Sequence, residues 1–167
     1  MGALGRRVGA LALALLLALG VAPGTDPGGG PAPAAPAALA PPGFAAVMGY
    51  VPVTARLDGS NSPRLVKPAG SCSSPLGQRP FGFEVICKAH DYGYDLLRFA
   101  ARSGRPPKAK AAVRAARRLV DAQFDHDLHA HCAASRQRLG RLACDGLAAV
   151  YAGAVKLNSW WQDSDVP

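Results

Sequence analysis

The segment Cys87-Lys-Ala-His90-Asp91-Tyr-Gly-Tyr94 sets an imidazole beside a carboxylate. On a helix, consecutive residues point about 100° apart, so His90 and Asp91 cannot serve one another and must face different partners. That geometry divides the labour: one can act as a base toward a neighbouring helix while the other binds a metal. A neutral imidazole, titrating near pH 6.5, can take a proton from water. It works best when its second nitrogen donates to a carboxylate that fixes tautomer and orientation. Asp121 is the best candidate for that carboxylate. It lies in Val120-Asp121-Ala-Gln-Phe124-Asp-His-Asp127, where a charge beside core positions needs a partner. Two plainer readings stand next to this one: a His-Asp dipeptide is ordinarily a surface accident, and Asp121 can equally be a boundary charge meeting an arginine. His126, His129 and His131 with Cys132 invite a zinc reading. Zinc, however, needs deprotonated ligands in a closed tetrahedral set, and Cys132 is more plausibly oxidised.

These side chains require helices to hold them. Val85, Ile86, Leu96, Leu97 and Ala100 recur at helical spacing until Ser103 and Gly104, which predicts a helix over 83–102. Pro106 and Pro107 stand where the next helix would start, and Val113, Val120, Phe124 and Leu128 lay an apolar stripe along 108–133. A third helix is expected over 139–157, with Leu142, Leu147, Val150, Tyr151 and Val155 on its apolar side. Residues 44–56 allow a short helix, weakened by Pro52 and the β-branched Val51, Val53 and Thr54. Residues 57–78 read as loop, since turn formers recur there without a sustained apolar period. The fold class is therefore all-α: a small helical domain of two long antiparallel helices plus a C-terminal helix.

Ahead of this domain, Arg6 and Arg7 precede the uncharged apolar run Val8 to Ala22, the anatomy of a secretory signal peptide. The run is shorter than the roughly 20 residues a membrane-crossing helix needs. Residues 1–22 are thus assigned to a signal peptide, with a cleavage point anywhere up to about residue 40 because small residues recur. Residues 23–42 hold seven of the fifteen prolines and read as a linker or pro-segment that cannot bury a core. The domain is 43–167, and the expected location is extracellular. Without residues 1–40, 17 basic and 10 acidic residues remain, a formal +7. Such a surface favours anionic partners. No basic, aromatic-rich motif or helix-turn-helix pattern points to nucleic acid. Cys72, Cys87, Cys132 and Cys144 all lie in the domain, and an even number in an exported chain implies two disulfides. Three pairings are open, of which local closure, Cys72 with Cys87 and Cys132 with Cys144, is preferred.

Pro80-Phe81-Gly82-Phe83, Cys87, His90-Asp91-Tyr92-Gly93-Tyr94, Asp121 with Phe124 and Asp127, Cys132, Cys144 and Ala154-Val155-Lys156 together resemble the prokaryotic and fungal secreted phospholipase A2 family. The likeness covers most of residues 70–157. It implies a calcium-dependent hydrolase that releases a fatty acid from the second position of glycerophospholipids. His90 would deprotonate water, Asp121 would hold the imidazolium, and calcium would polarise the ester carbonyl. Asp91 and the Ser71 carbonyl would be calcium ligands, and Tyr94 would support Asp121 by a hydrogen bond. The implied partner is a phospholipid surface, anionic in view of the charge, and a monomer is expected.

Two departures accompany the resemblance. Where the family has an acidic residue two positions before its first cysteine, this chain has Gly70. Calcium prefers several oxygen ligands including carboxylates, so its loss should weaken binding; Asp58 and Asp95 are the acids that could replace it. The connection from Ser103 to Arg118 is longer than usual and, with Arg102 ahead of it, densely basic, either an arm for anionic membrane or a solvated helical extension. Trp160 and Trp161 either enter a lipid headgroup zone or cap the core. The alternative to an enzyme is a noncatalytic secreted protein that keeps the scaffold and binds anionic lipid or another polyanion.

Overall fold

The computed structural model describes residues 40–57, 63–72, 80–104, 110–135 and 137–161. Residues 1–39, which carry the expected signal peptide and most of the linker, lie outside the described residues, as does Asp58. Three long helices carry the fold: α2 (Glu84–Arg102), α3 (Lys110–Ala133) and α4 (Arg138–Trp161). Before them come a short helix α1 (Phe44–Met48) and an antiparallel pair of strands, β1 (Val53–Arg56) and β2 (Pro63–Val66). The molecule is mostly helical, as the patterning predicts, and adds one small sheet.

The local sequence explains the helix ends. Glu84 in the first turn and Arg102 in the last complement the α2 dipole, and Lys88 reaches back to Glu84 at 2.6 Å. Two expectations need correction. The short helix ends at Met48, because Gly49 takes a left-handed conformation (φ 78°) and Pro52 cannot continue it; Val53 and Thr54 turn extended instead. Residues 57–78 are not all loop, since Pro63–Val66 pairs with β1 in the register Val53↔Val66 and Thr54↔Leu65. Proline is tolerated there as the first residue of a strand.

Successive long helices run antiparallel. Moving up α2 from His90 to Leu97 means moving down α3 from Asp121 to Ala116. Moving up α4 from Cys144 to Ser159 means moving down α3 from Cys132 to Asp121. The core between them is built from Phe83, Ile86, Phe124, Leu128, Ala148 and Tyr151, all buried. Both disulfides close locally, Cys72–Cys87 and Cys132–Cys144. Each closes a loop of the size for which chain-entropy arguments give roughly 3 kcal/mol. Arg64 on β2 bonds the buried Asp127 of α3 at 3.2 Å, tying the hairpin to the bundle.

A second clasp holds α1 and the hairpin against α2. Tyr50 and Lys67 both donate to Asp95 Oδ2 at 2.9 Å, and Arg98 donates to Oδ1 at 2.7 Å. Burial alone raises the Asp95 carboxyl, but these three donors outweigh it and hold it below the usual carboxylate range. Burial, then the hydrogen bond to Asp95, push the Tyr50 phenol far above its ordinary value.

α4 departs most from expectation. It runs a turn past Leu157, and Leu142 and Val150, expected on its packed side, face solvent. Trp160 and Trp161 are exposed, so they do not cap the core. The basic stretch is helical from Lys110, yet Arg117 is buried and is no part of a solvated face. Among the described residues, no helix is long and apolar enough to cross a membrane.

Candidate active site

The site depends on how closely α2 and α3 approach. Gly93 lies at their crossing, and a Cβ there would sit 2.8 Å from Val120 Cγ1, closer than carbon atoms tolerate. With only hydrogen at that position, His90 and Tyr94, one turn apart on α2, both reach Asp121 on α3. His90 Nε2 donates to Asp121 Oδ1 at 3.0 Å, and Tyr94 Oη donates to the same oxygen at 3.0 Å. The His90 ring is fixed on its flanks by Phe124, with centroids 4.5 Å apart, and by Tyr94 at 5.0 Å. Nδ1 of His90 has no protein partner among the described residues, so it is the nitrogen available to a water. Asp121 therefore meets His90, and no surface arginine is bonded to it among the described residues.

One member of this group escaped the sequence reading. Ser159, in the last turn of α4, donates to Asp121 Oδ2 at 2.5 Å and lies 2.6 Å from Tyr94 Oη. The buried carboxylate therefore has three donors on two oxygens. Two hydroxyls have two protons for three short contacts, so when both point at Asp121 their mutual contact carries none. Burial first, offset by the Ser159 hydrogen bond and reinforced by the Asp121 charge, pushes the Tyr94 phenol up to about 12. Tyr94 thus stays protonated and a donor at any ordinary pH.

Asp91 faces the other way, as a one-residue step on a helix requires. Its Oδ2 accepts the Ser71 backbone N–H at 3.0 Å, in a segment fastened to α2 by Cys72–Cys87 and by the Lys67 N–H bond to the Lys88 carbonyl, 3.1 Å. Burial raises the Asp91 carboxyl above its ordinary value, more than the Ser71 hydrogen bond and the nearby His90 and Lys67 lower it. Gly70 is buried, and a Cβ built on it would meet Asp91 Oδ2 at 2.8 Å and Lys88 Cα at 3.1 Å. The direction in which an acidic side chain would leave residue 70 is thus filled by Asp91 itself.

This donor set does not fit a tightly held calcium ion. Asp91 and Ser71 do meet, but through a backbone donor on the carboxylate that would have to serve the metal. Asp95 is committed to its own clasp and cannot replace the missing acid. Among the described residues no three His, Cys, Asp or Glu side chains are grouped to hold a metal ion. The zinc reading also fails on the chemistry of its residues: Cys132 is oxidised, His129 lies between Asp145 (3.0 Å) and Asp125 (3.4 Å), and His131 bonds the Phe81 carbonyl.

The chain matches no curated protein and no solved structure. A family model of prokaryotic phospholipase A2 does match, over residues 53–159. That span begins at β1 and ends on Ser159, so it takes in the hairpin, both disulfides and every side chain around Asp121. With most of the domain and the whole of the His90 site inside the match, the chain belongs to the prokaryotic phospholipase A2 family.

Proposed function

We propose that this protein is an exported ester hydrolase that releases the fatty acid from the second position of glycerophospholipids at an anionic membrane surface, acting as a monomer. The observation that carries the reading is the His90 Nε2 to Asp121 Oδ1 contact of 3.0 Å, with Nδ1 left to a water. In the reaction, Nδ1 takes a proton from water as the water oxygen bonds to the ester carbonyl carbon. Asp121 stabilises the imidazolium so formed, steadied by Tyr94 and Ser159. The ester C–O bond then breaks, and the proton on Nδ1 passes to the departing alkoxide of the lysophospholipid. Export is supported by the apolar run Val8 to Ala22 and by the two disulfides. Calcium, with Asp91 and the Ser71 carbonyl as its ligands, enters the reading only as an ion bound no tighter than about the millimolar range of extracellular calcium modules.

The test is fatty-acid release from mixed phosphatidylcholine and phosphatidylglycerol vesicles, with calcium titrated from micromolar to tens of millimolar against a chelator control. Release is expected, with any calcium dependence confined to the upper end of that range. His90→Ala should lower it by about 100- to 10,000-fold, the usual contribution of a positioned base, with the circular dichroism unchanged. The second reading, a noncatalytic lipid-binding scaffold, is favoured by one observation, the closure of residues 70–71 on Asp91. Absence of release at every calcium level, from folded and oxidised protein, would establish it in place of the first.

A further inference from the structure

The outer face of α4 has no role in the chemistry above. Leu139, Leu142, Val150, Leu157, Trp160 and Trp161 are each between 59% and 81% exposed. At roughly 100° per residue they fall within an arc of about 100° on a helix about 36 Å long. Ala143, Gly146 and Gly153 lie in the same arc, and no charged residue does. Large apolar side chains scattered singly over a surface need no explanation, but a continuous exposed stripe along a whole helix marks an interaction face.

We infer that α4 is a membrane-docking helix, lying in the plane of an anionic phospholipid leaflet with this stripe in the acyl-headgroup boundary. Three observations choose a lipid leaflet as the occupant. With Leu139 at 0°, Arg138, Arg141 and Lys156 line one flank of the stripe at about 200–260°, where the single acid, Asp145, is paired with His129, and the domain carries a formal +7, which complements anionic headgroups. The stripe ends in two adjacent tryptophans, the side chains suited to the headgroup level. Those tryptophans directly follow Ser159, whose hydroxyl touches Asp121, so the stripe ends at the same level of α4 as the His90 site. The helix is not apolar enough to span a bilayer, and one apolar face opposite a packed one is the arrangement of an in-plane helix. In its link to the His90 site this inference rests on the proposed lipid hydrolysis; the face itself does not.

Trp160 and Trp161 are the only tryptophans in the chain, which gives a probe confined to the proposed face. Protein is titrated with phosphatidylcholine and phosphatidylglycerol vesicles, with and without brominated acyl chains, while tryptophan emission and co-sedimentation are followed. A blue shift, quenching by bromine and co-sedimentation are expected. L142D and V150D, at exposed positions where folding has little at stake, should each lower vesicle partitioning at least tenfold. Both variants should turn over a short-chain ester dissolved as monomers at the wild-type rate. Unquenched tryptophan emission, or partitioning unchanged in both variants, overturns the inference. So does a face buried in a dimer that L142D dissociates while vesicles are ignored. If the wild type binds vesicles through this face and releases no fatty acid, docking stands and the hydrolase reading falls.

Discussion

At the scale of single residues, the chemistry rests on how Asp121 is held. A carboxylate buried beside Phe124 and Val120 must be satisfied by donors, and His90, Tyr94 and Ser159 supply them. Ser159→Ala removes the donor to Oδ2 and leaves the His90 contact formed. The expected result is a loss of about tenfold in kcat, equivalent to roughly 1.4 kcal/mol, with KM little changed and partial rescue by Ser159→Thr. At Gly70 the expectation runs the other way. Gly70→Asp forces residues 70–71 off Asp91, because the new Cβ and Asp91 Oδ2 cannot share their 2.8 Å separation. That variant should bind calcium at least tenfold more tightly by calorimetry. His90 and Asp121 were legible as candidates because a His-Asp pair on one helix and an acid beside core positions on the next are local patterns, but those patterns left plainer readings open, and the roles of Asp91 and Tyr94 came only with the family resemblance. Ser159 was not. A serine in the last turn of a helix carries no periodic signal, and only the packing of α4 on α3 brings it to Asp121.

At the scale of elements, the three long helices follow from apolar spacing and the Ser-Gly and double-proline interruptions, and their ends were read to within a few residues. The hairpin was not read, since β2 begins with proline and its four residues show no alternation long enough to separate strand from loop. What fixes it is tertiary: Arg64 on Asp127, and Lys67 and Tyr50 on Asp95. The Asp95 clasp has a pH signature. Its carboxyl is held below the usual range in the folded chain, so its stabilisation is fully present above the unfolded value of about 3.9 and is lost as pH falls through the folded value. Urea midpoints should therefore decline below about pH 4, and less so in Asp95→Asn. At neutral pH that variant should be less stable by about 2 kcal/mol, the typical worth of a hydrogen bond to a charged group. α4 was the most misleading element: Leu147, Tyr151 and Val155 pack inward as expected, but Leu142 and Val150 belong to an apolar arc of about 100° that faces outward.

At the scale of the whole molecule, both disulfides lie toward one end of the bundle, where α2 and α4 begin and α3 ends. Removing Cys132–Cys144 by paired alanine substitution should cost about 2–5 kcal/mol in denaturant titrations, a large share of what a small domain has. Removing Cys72–Cys87 should also free residues 70–72 from Asp91, visible as faster amide exchange at Ser71. Tyr94, Asp121 and Ser159 meet farther along, where no covalent link helps, so hydrogen bonding and helix packing alone hold that arrangement. The position of Ser159 in the chain adds a matter of timing. Ser159 follows Asp121 by 38 residues in the chain, so until α4 has folded back onto α3, Asp121 lacks one of its three donors. On the proposed reading of an exported hydrolase, the carboxylate that holds His90 is therefore completed late, and a chain still being threaded through a membrane would not yet meet it as a finished enzyme.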